Sequence, residues 1–122
     1  MFEVSVEATF SAAHRLTEYK GKCENIHGHN WKVRAVIGKE SLDKSGMVLD
    51  FVDFKRALNK TLEQLDHKLL NDTPHFKKVN PTSENIARHI YGKLRQALRI
   101  SAGTNLKVRV WETDTASATY YE

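Results

Sequence analysis

His27 and His29 stand two residues apart, so on an extended strand both imidazoles project from one face, within reach of a single cation. A third histidine, His14, closes an alternating segment that would pair antiparallel with the one His27 and His29 open. Three neutral imidazoles with a fourth position left open form the donor set of a catalytic zinc site, where the open position takes water or substrate oxygens. The same residues also suit polar surface loops, because the H-x-H pattern is short and common. Gly28, between the pair, either lets the backbone approach closely or bulge, or is an ordinary strand-start glycine.

Four further residues have reactive chemistry. Cys23 lies four residues before His27, where a cation and an imidazole would pull the thiol toward thiolate; the alternative is a buried structural cysteine. Asp66 and His67 are adjacent at the end of a helical segment, where the carboxylate could orient the imidazole for proton transfer, although a helix C-terminus alone also favours histidine. Glu112 continues the parity of Leu106, Val108 and Val110 onto an apolar face. A carboxylate there must be paired, solvated or used to bind the donor groups of a flat polar heterocycle. His75, in a polar loop, and His89, beside Arg88, show no partner in the sequence.

These residues need elements to hold them. Phe2, Val4, Val6, Ala8 and Phe10 alternate with polar residues, which predicts a strand with one wet face. Trp31, Val33, Ala35 and Ile37 repeat the pattern up to Gly38. From Asp50 the period becomes helical, through Phe51, Phe54, Leu58, Leu62 and Leu65, with Asp50 as cap and Asp53 favourable to the dipole. A turn-rich segment with Pro74 leads to Pro81, and a second helix capped by Thr82 or Ser83 carries Ile86, Ile90, Leu94 and Leu98 until Gly103. Two closing strands follow, around Leu106 to Trp111 and up to Tyr121, with the turn at Thr113 to Thr115.

The order strand, strand, helix, helix, strand, strand lacks the alternation that builds parallel sheets, so the expected class is α+β: a four-stranded antiparallel sheet with two helices on one face. With 122 residues, 40% of them hydrophobic, residues 1–122 form one expected domain. Its uncovered face and edges favour oligomerisation. The lysines and arginines that give a net charge of +4 are dispersed among acids, which argues against nucleic acid and for a solvated basic surface. One cysteine excludes an internal disulfide. Met1 to Phe10 has no signal-like core and no run reaches spanning length, so a soluble cytoplasmic protein with no membrane partner is expected.

Phe10-Ser11-Ala12-Ala13-His14, Cys23-Glu24-Asn25-Ile26-His27-Gly28-His29, Leu65-Asp66-His67, Asn80-Pro81-Thr82-Ser83-Glu84-Asn85 and Trp111-Glu112-Thr113 together resemble the 6-pyruvoyl-tetrahydropterin synthase superfamily, in the right order and over nearly the whole chain. The resemblance implies the T-fold, assembled into a barrel-like homo-oligomer, typically a hexamer of two stacked trimers. It implies zinc on His14, His27 and His29, and Cys23 as the thiol that removes a side-chain proton. Asp66 and His67 match a proton relay that reaches the site from a neighbouring subunit, and Glu112 matches the carboxylate that anchors the pterin ring. Thr82 and Ser83 lie in a matching stretch, where helix capping already accounts for them and a substrate contact is secondary.

Three residues separate Cys23 from His27. This spacing is similar to that of bacterial 6-carboxy-tetrahydropterin synthases of the queuosine and deazapurine pathway; the biopterin-forming synthases usually place five there. The resemblance therefore implies a pterin triphosphate substrate, 7,8-dihydroneopterin triphosphate, cleaved to 6-carboxy-tetrahydropterin, acetaldehyde and triphosphate. The alternatives are a 6-pyruvoyl-tetrahydropterin synthase, which stops after triphosphate elimination, and a non-catalytic metal- or pterin-binding module.

Overall fold

The computed structural model describes residues 1–21 and 24–122. Strand β1 (Phe2–His14) pairs antiparallel with β2 (His27–Lys39) along its whole length, from Phe2 opposite Lys39 to His14 opposite His27. Helix α1 (Phe51–Glu63) follows, then a two-residue strand β3 (Lys68–Leu69) and a 3-10 turn (Leu70–Asp72). Helix α2 (Ser83–Ala97) leads to β4 (Asn105–Thr113) and β5 (Ala116–Tyr121). The sheet order is β3-β1-β2-β4-β5.

The α+β class and the two helices are as expected, but the sheet has five strands where the alternation predicts four. The additional strand, β3, pairs parallel with β1 at Ala12 and Ala13. Two residues are too few to carry a period of two, so no alternation marks it in the sequence. Tertiary bonds place it instead: Asp66 accepts the Ser11 amide at 2.8 Å, and the His67 amide donates to the Ser11 carbonyl at 2.6 Å.

Alternation along the strands sorts the faces. Phe10, Trp31, Val33, Ala35, Leu106, Val108 and Val110 are buried under the helices, each large side chain contributing roughly 1.5–3 kcal/mol by leaving water. Helix α1 packs on β1, and α2 on β4 and β5. The Asp50 side chain caps α1 by accepting the Val52 amide. The buried stripe of α1 is Phe54, Leu58 and Leu62; Phe51, included in the expected stripe, is 53% exposed. Thr82 is the cap of α2, accepting the Asn85 amide at 3.1 Å, and Ser83 is its first helical residue. α2 ends at Ala97, earlier than Gly103, which turns the chain toward β4 with φ +87°. On the opposite face of the sheet, Glu7 pairs with Arg34 and Lys32, and Trp111 lies against Lys32, Arg34 and Arg109. Among the described residues, no helix is long and apolar enough to cross a membrane.

Candidate metal centre

The register sets the site. His14 faces His27 directly, and the next pair on the same face is Ala12 with His29. One strand beyond, Glu112 continues the inward parity of β4, beside a register irregularity between Trp111 and Thr113. One ligand atom from each of His14, His27, His29 and Glu112 lies within 4.8 Å of the other three. Trp31 forms the floor: its ring centroid is 5.0 Å from that of His14 and 5.2 Å from that of His29, and its indole N–H donates to the Ala12 carbonyl.

Hydrogen bonds decide which nitrogens face inward. His14 Nδ1 lies 2.8 Å from the Pro81 carbonyl oxygen, and His27 Nδ1 lies 2.9 Å from the Asn25 carbonyl oxygen. Carbonyls only accept, so in the neutral rings both protons sit on Nδ1 and both Nε2 atoms carry lone pairs. Those two Nε2 atoms are 3.0 Å apart, a lone-pair contact that a cation between them relieves. His29 Nε2 is buried and has no hydrogen-bond partner among the described residues. Glu112 Oε1 lies 3.3 Å from His14 Nε2 and 3.4 Å from His29 Nε2. Burial lowers the pKa of His29 below its ordinary value, against the opposing pull of Glu112, which favours the neutral ligating form. Inward lone pairs, an orphaned buried nitrogen, outer carbonyls that fix the tautomers and one carboxylate all fit a divalent metal.

The Asp66–His67 pair is not part of this cluster. His67 adopts φ +57° at the turn into β3, its side chain is 83% exposed, and its Nε2 is 3.5 Å from Asp66 Oδ2. The Asp66–His67 pair is pinned beside Ser11, whose hydroxyl bonds Asn30, and His67 borders a cavity of about 430 Å³ that His29 also lines. Neither residue is among those whose ligand atoms converge with the imidazoles. Cys23 lies outside the described residues. Gly28 pairs regularly with Ala13, and an added Cβ would meet nothing nearer than the Ala12 carbonyl oxygen at 4.0 Å. Neither a bulge nor a close approach accounts for this glycine.

Sequence reasoning left Glu112 apart from the histidines, and the structure joins them. It also missed the Pro81 and Asn25 carbonyls, because a backbone acceptor has no residue-type signature. His75 and His89, which the sequence left without partners, stack on each other with centroids 4.3 Å apart.

Comparison with known proteins agrees with this architecture. The 6-pyruvoyl tetrahydropterin synthase family model matches residues 3–122. The 6-carboxy-5,6,7,8-tetrahydropterin synthase of Haemophilus influenzae is 34% identical over 145 aligned positions that cover 100% of both chains. The human 6-pyruvoyl tetrahydrobiopterin synthase is 37% identical, covering 97% of this chain and 90% of its own. The structure of the Caenorhabditis elegans 6-pyruvoyl tetrahydropterin synthase superposes with a TM-score of 0.84 at 33% identity, covering 100% of this chain and 97% of that one. Fold and site thus define a pterin synthase with a candidate metal centre. The chain belongs to the 6-pyruvoyl tetrahydropterin synthase family of enzymes.

Proposed function

We propose that this enzyme is a zinc-dependent 6-carboxy-tetrahydropterin synthase. It converts 7,8-dihydroneopterin triphosphate and water to 6-carboxy-5,6,7,8-tetrahydropterin, acetaldehyde and triphosphate, a step in queuosine and deazapurine biosynthesis. The observation that carries the catalytic reading is the convergence of three imidazoles and Glu112 around the orphaned His29 Nε2. Relatives named for either product stand at similar identity, so overall identity does not choose between products. The three-residue spacing from Cys23 to His27 favours the carboxylated one.

In this reading His14, His27 and His29 hold zinc, which when bound supplies Lewis acidity toward the oxygens of the substrate side chain. Cys23 takes a side-chain proton, and triphosphate leaves by elimination. Glu112 receives the amino and ring N–H donors of the pterin as charge-assisted hydrogen bonds. Thr82, whose hydroxyl already accepts from Asn85, and Ser83 add substrate contacts at the start of α2. Asp66 orients His67 for proton transfer in a neighbouring copy, a role that suits the 83% exposure of the His67 side chain. The assembly is a barrel-like hexamer acting in the cytoplasm.

Incubation with 7,8-dihydroneopterin triphosphate and zinc, without reductant or nucleotide, is expected to release trappable acetaldehyde together with the 6-carboxy product. A main product that keeps its three-carbon side chain would make this a 6-pyruvoyl-tetrahydropterin synthase. Recovery of unchanged substrate would leave only a binding module.

A further inference from the structure

Strand β1 ends at His14, yet the backbone that follows it stays paired. On the β3 side, Ala12 and Ala13 are met by Lys68 and Leu69. At Arg15 the partner is a side chain: Asn71 Oδ1 accepts the Arg15 amide at 2.9 Å, and Asn71 Nδ2 donates to the Arg15 carbonyl at 3.0 Å. At Thr17 the pattern repeats with Asn80, whose Oδ1 accepts the Thr17 amide and whose Nδ2 donates to the Thr17 carbonyl, both at 2.9 Å. Two asparagine amides thus act as successive ladder rungs, each replacing a peptide unit, and satisfy backbone groups that would otherwise be left without partners.

The two clamps differ in what their own backbones hold. Asn71 is the middle residue of the 3-10 turn, and among the described residues its backbone makes no hydrogen bond to the metal centre. The Asn80 carbonyl accepts both the Thr82 amide, at 2.8 Å, and the Asn85 side-chain amide, at 2.9 Å. The next carbonyl, that of Pro81, is the acceptor for Nδ1 of fully buried His14. Residues 80–82 therefore tie the exit of β1, the His14 imidazole and the first turn of α2 into one unit.

We infer that Asn80 is a positioning residue for the metal centre: by clamping Thr17 and accepting from Asn85, it holds the Pro81 carbonyl against His14 and so fixes the ring direction and tautomer of that ligand. The inference rests on the metal centre proposed above, though not on which pterin product forms. Outer partners of metal-ligating histidines typically contribute 10–100-fold to affinity. Asn71 is the internal control, since its replacement removes the same pair of amide bonds from the same strand edge.

Zn²⁺ affinity, measured by competition with a chromophoric chelator, separates the two. Asn80→Ala is expected to weaken binding about 10–100-fold and to alter the visible absorption of the Co²⁺-loaded protein. Asn71→Ala should lower the melting temperature comparably while leaving Zn²⁺ affinity and the Co²⁺ spectrum at their original values. Equal losses from both variants, or original affinity in Asn80→Ala, would overturn the inference. Should Asn80→Ala fail to fold, Asn85→Ala removes only the donor to the Asn80 carbonyl and leaves both rungs intact. Weakened Zn²⁺ binding there supports the inference, and unchanged binding overturns it. Failure of the unaltered protein to bind Zn²⁺ would sink the metal centre itself, whereas a pyruvoyl product with normal Zn²⁺ binding would count only against the product assignment.

Discussion

The histidines at the mouth of β1 and β2 differ instructively from the pair that joins the loop before α2 to that helix. His75 and His89 are held partly out of water, and burial lowers the pKa of both. Their rings lie face to face with an interplanar angle of 25°, beside Phe76, and border a cavity of about 530 Å³ with Arg88 and Lys93. Stacked faces present no converging lone pairs, and the nearby charges are cationic. In the first group the rings meet edge to face, at 69° to 89°. Two are fixed by backbone carbonyls, and a carboxylate stands among their nitrogens. Burial lowers a histidine pKa in each region, that of His29 in the first and those of His75 and His89 in the second; what distinguishes the ligand set is the outer carbonyls that aim the lone pairs of His14 and His27.

The largest expected difference between the regions is in metal content. His27→Ala combined with His29→Ala should reduce zinc from about one per chain to almost none and abolish turnover. His75→Ala should leave zinc content unchanged. Full zinc occupancy in the double variant would erase the distinction. A smaller effect should separate chemistry from metal retention: Cys23→Ala is expected to lower turnover roughly 100-fold while zinc content and assembly persist. Near-normal turnover would make that thiol structural.

The second histidine region should reveal itself through pH. His89 is lowered to about 4, first by burial and then by His75 and Lys93. Its ordinary value is 6.5, so between 6.5 and about 4 the unfolded chain binds the proton more readily than the native one. The stability due to neutral His89 is fully present above pH 6.5 and declines as pH falls toward 4. Denaturation series across this window should show a shallower acid loss for His89→Gln than for the unaltered chain. Identical slopes would mean that His89 titrates normally in the fold.

Much of this arrangement is legible in the sequence because strands and helices announce themselves by period. The alternation from Phe2 to Phe10 and from Trp31 to Ile37 marks β1 and β2, and the same parity puts His27 and His29 on one face and turns Glu112 inward. What stays hidden depends on tertiary contacts. Strand β3 is too short for any period, and Ser11 pins it. The stacking of His75 on His89 joins a loop to a helix. Asn71 and Asn80 read as turn residues, since nothing local says that their amides will replace a neighbouring strand. Asn80-Pro81-Thr82 is accounted for locally by the Thr82 cap, which masks the acceptor that Pro81 offers His14.

X-ray absorption at the zinc edge decides whether His14, His27 and His29 together hold one zinc. Three imidazole nitrogens are expected at about 2.0–2.1 Å, with the rest of the shell supplied by oxygen. The imidazole count should be unchanged in Glu112→Ala and should fall in His14→Ala. Fewer than three imidazoles in the unaltered protein, or a sulfur shell at about 2.3 Å, would contradict it.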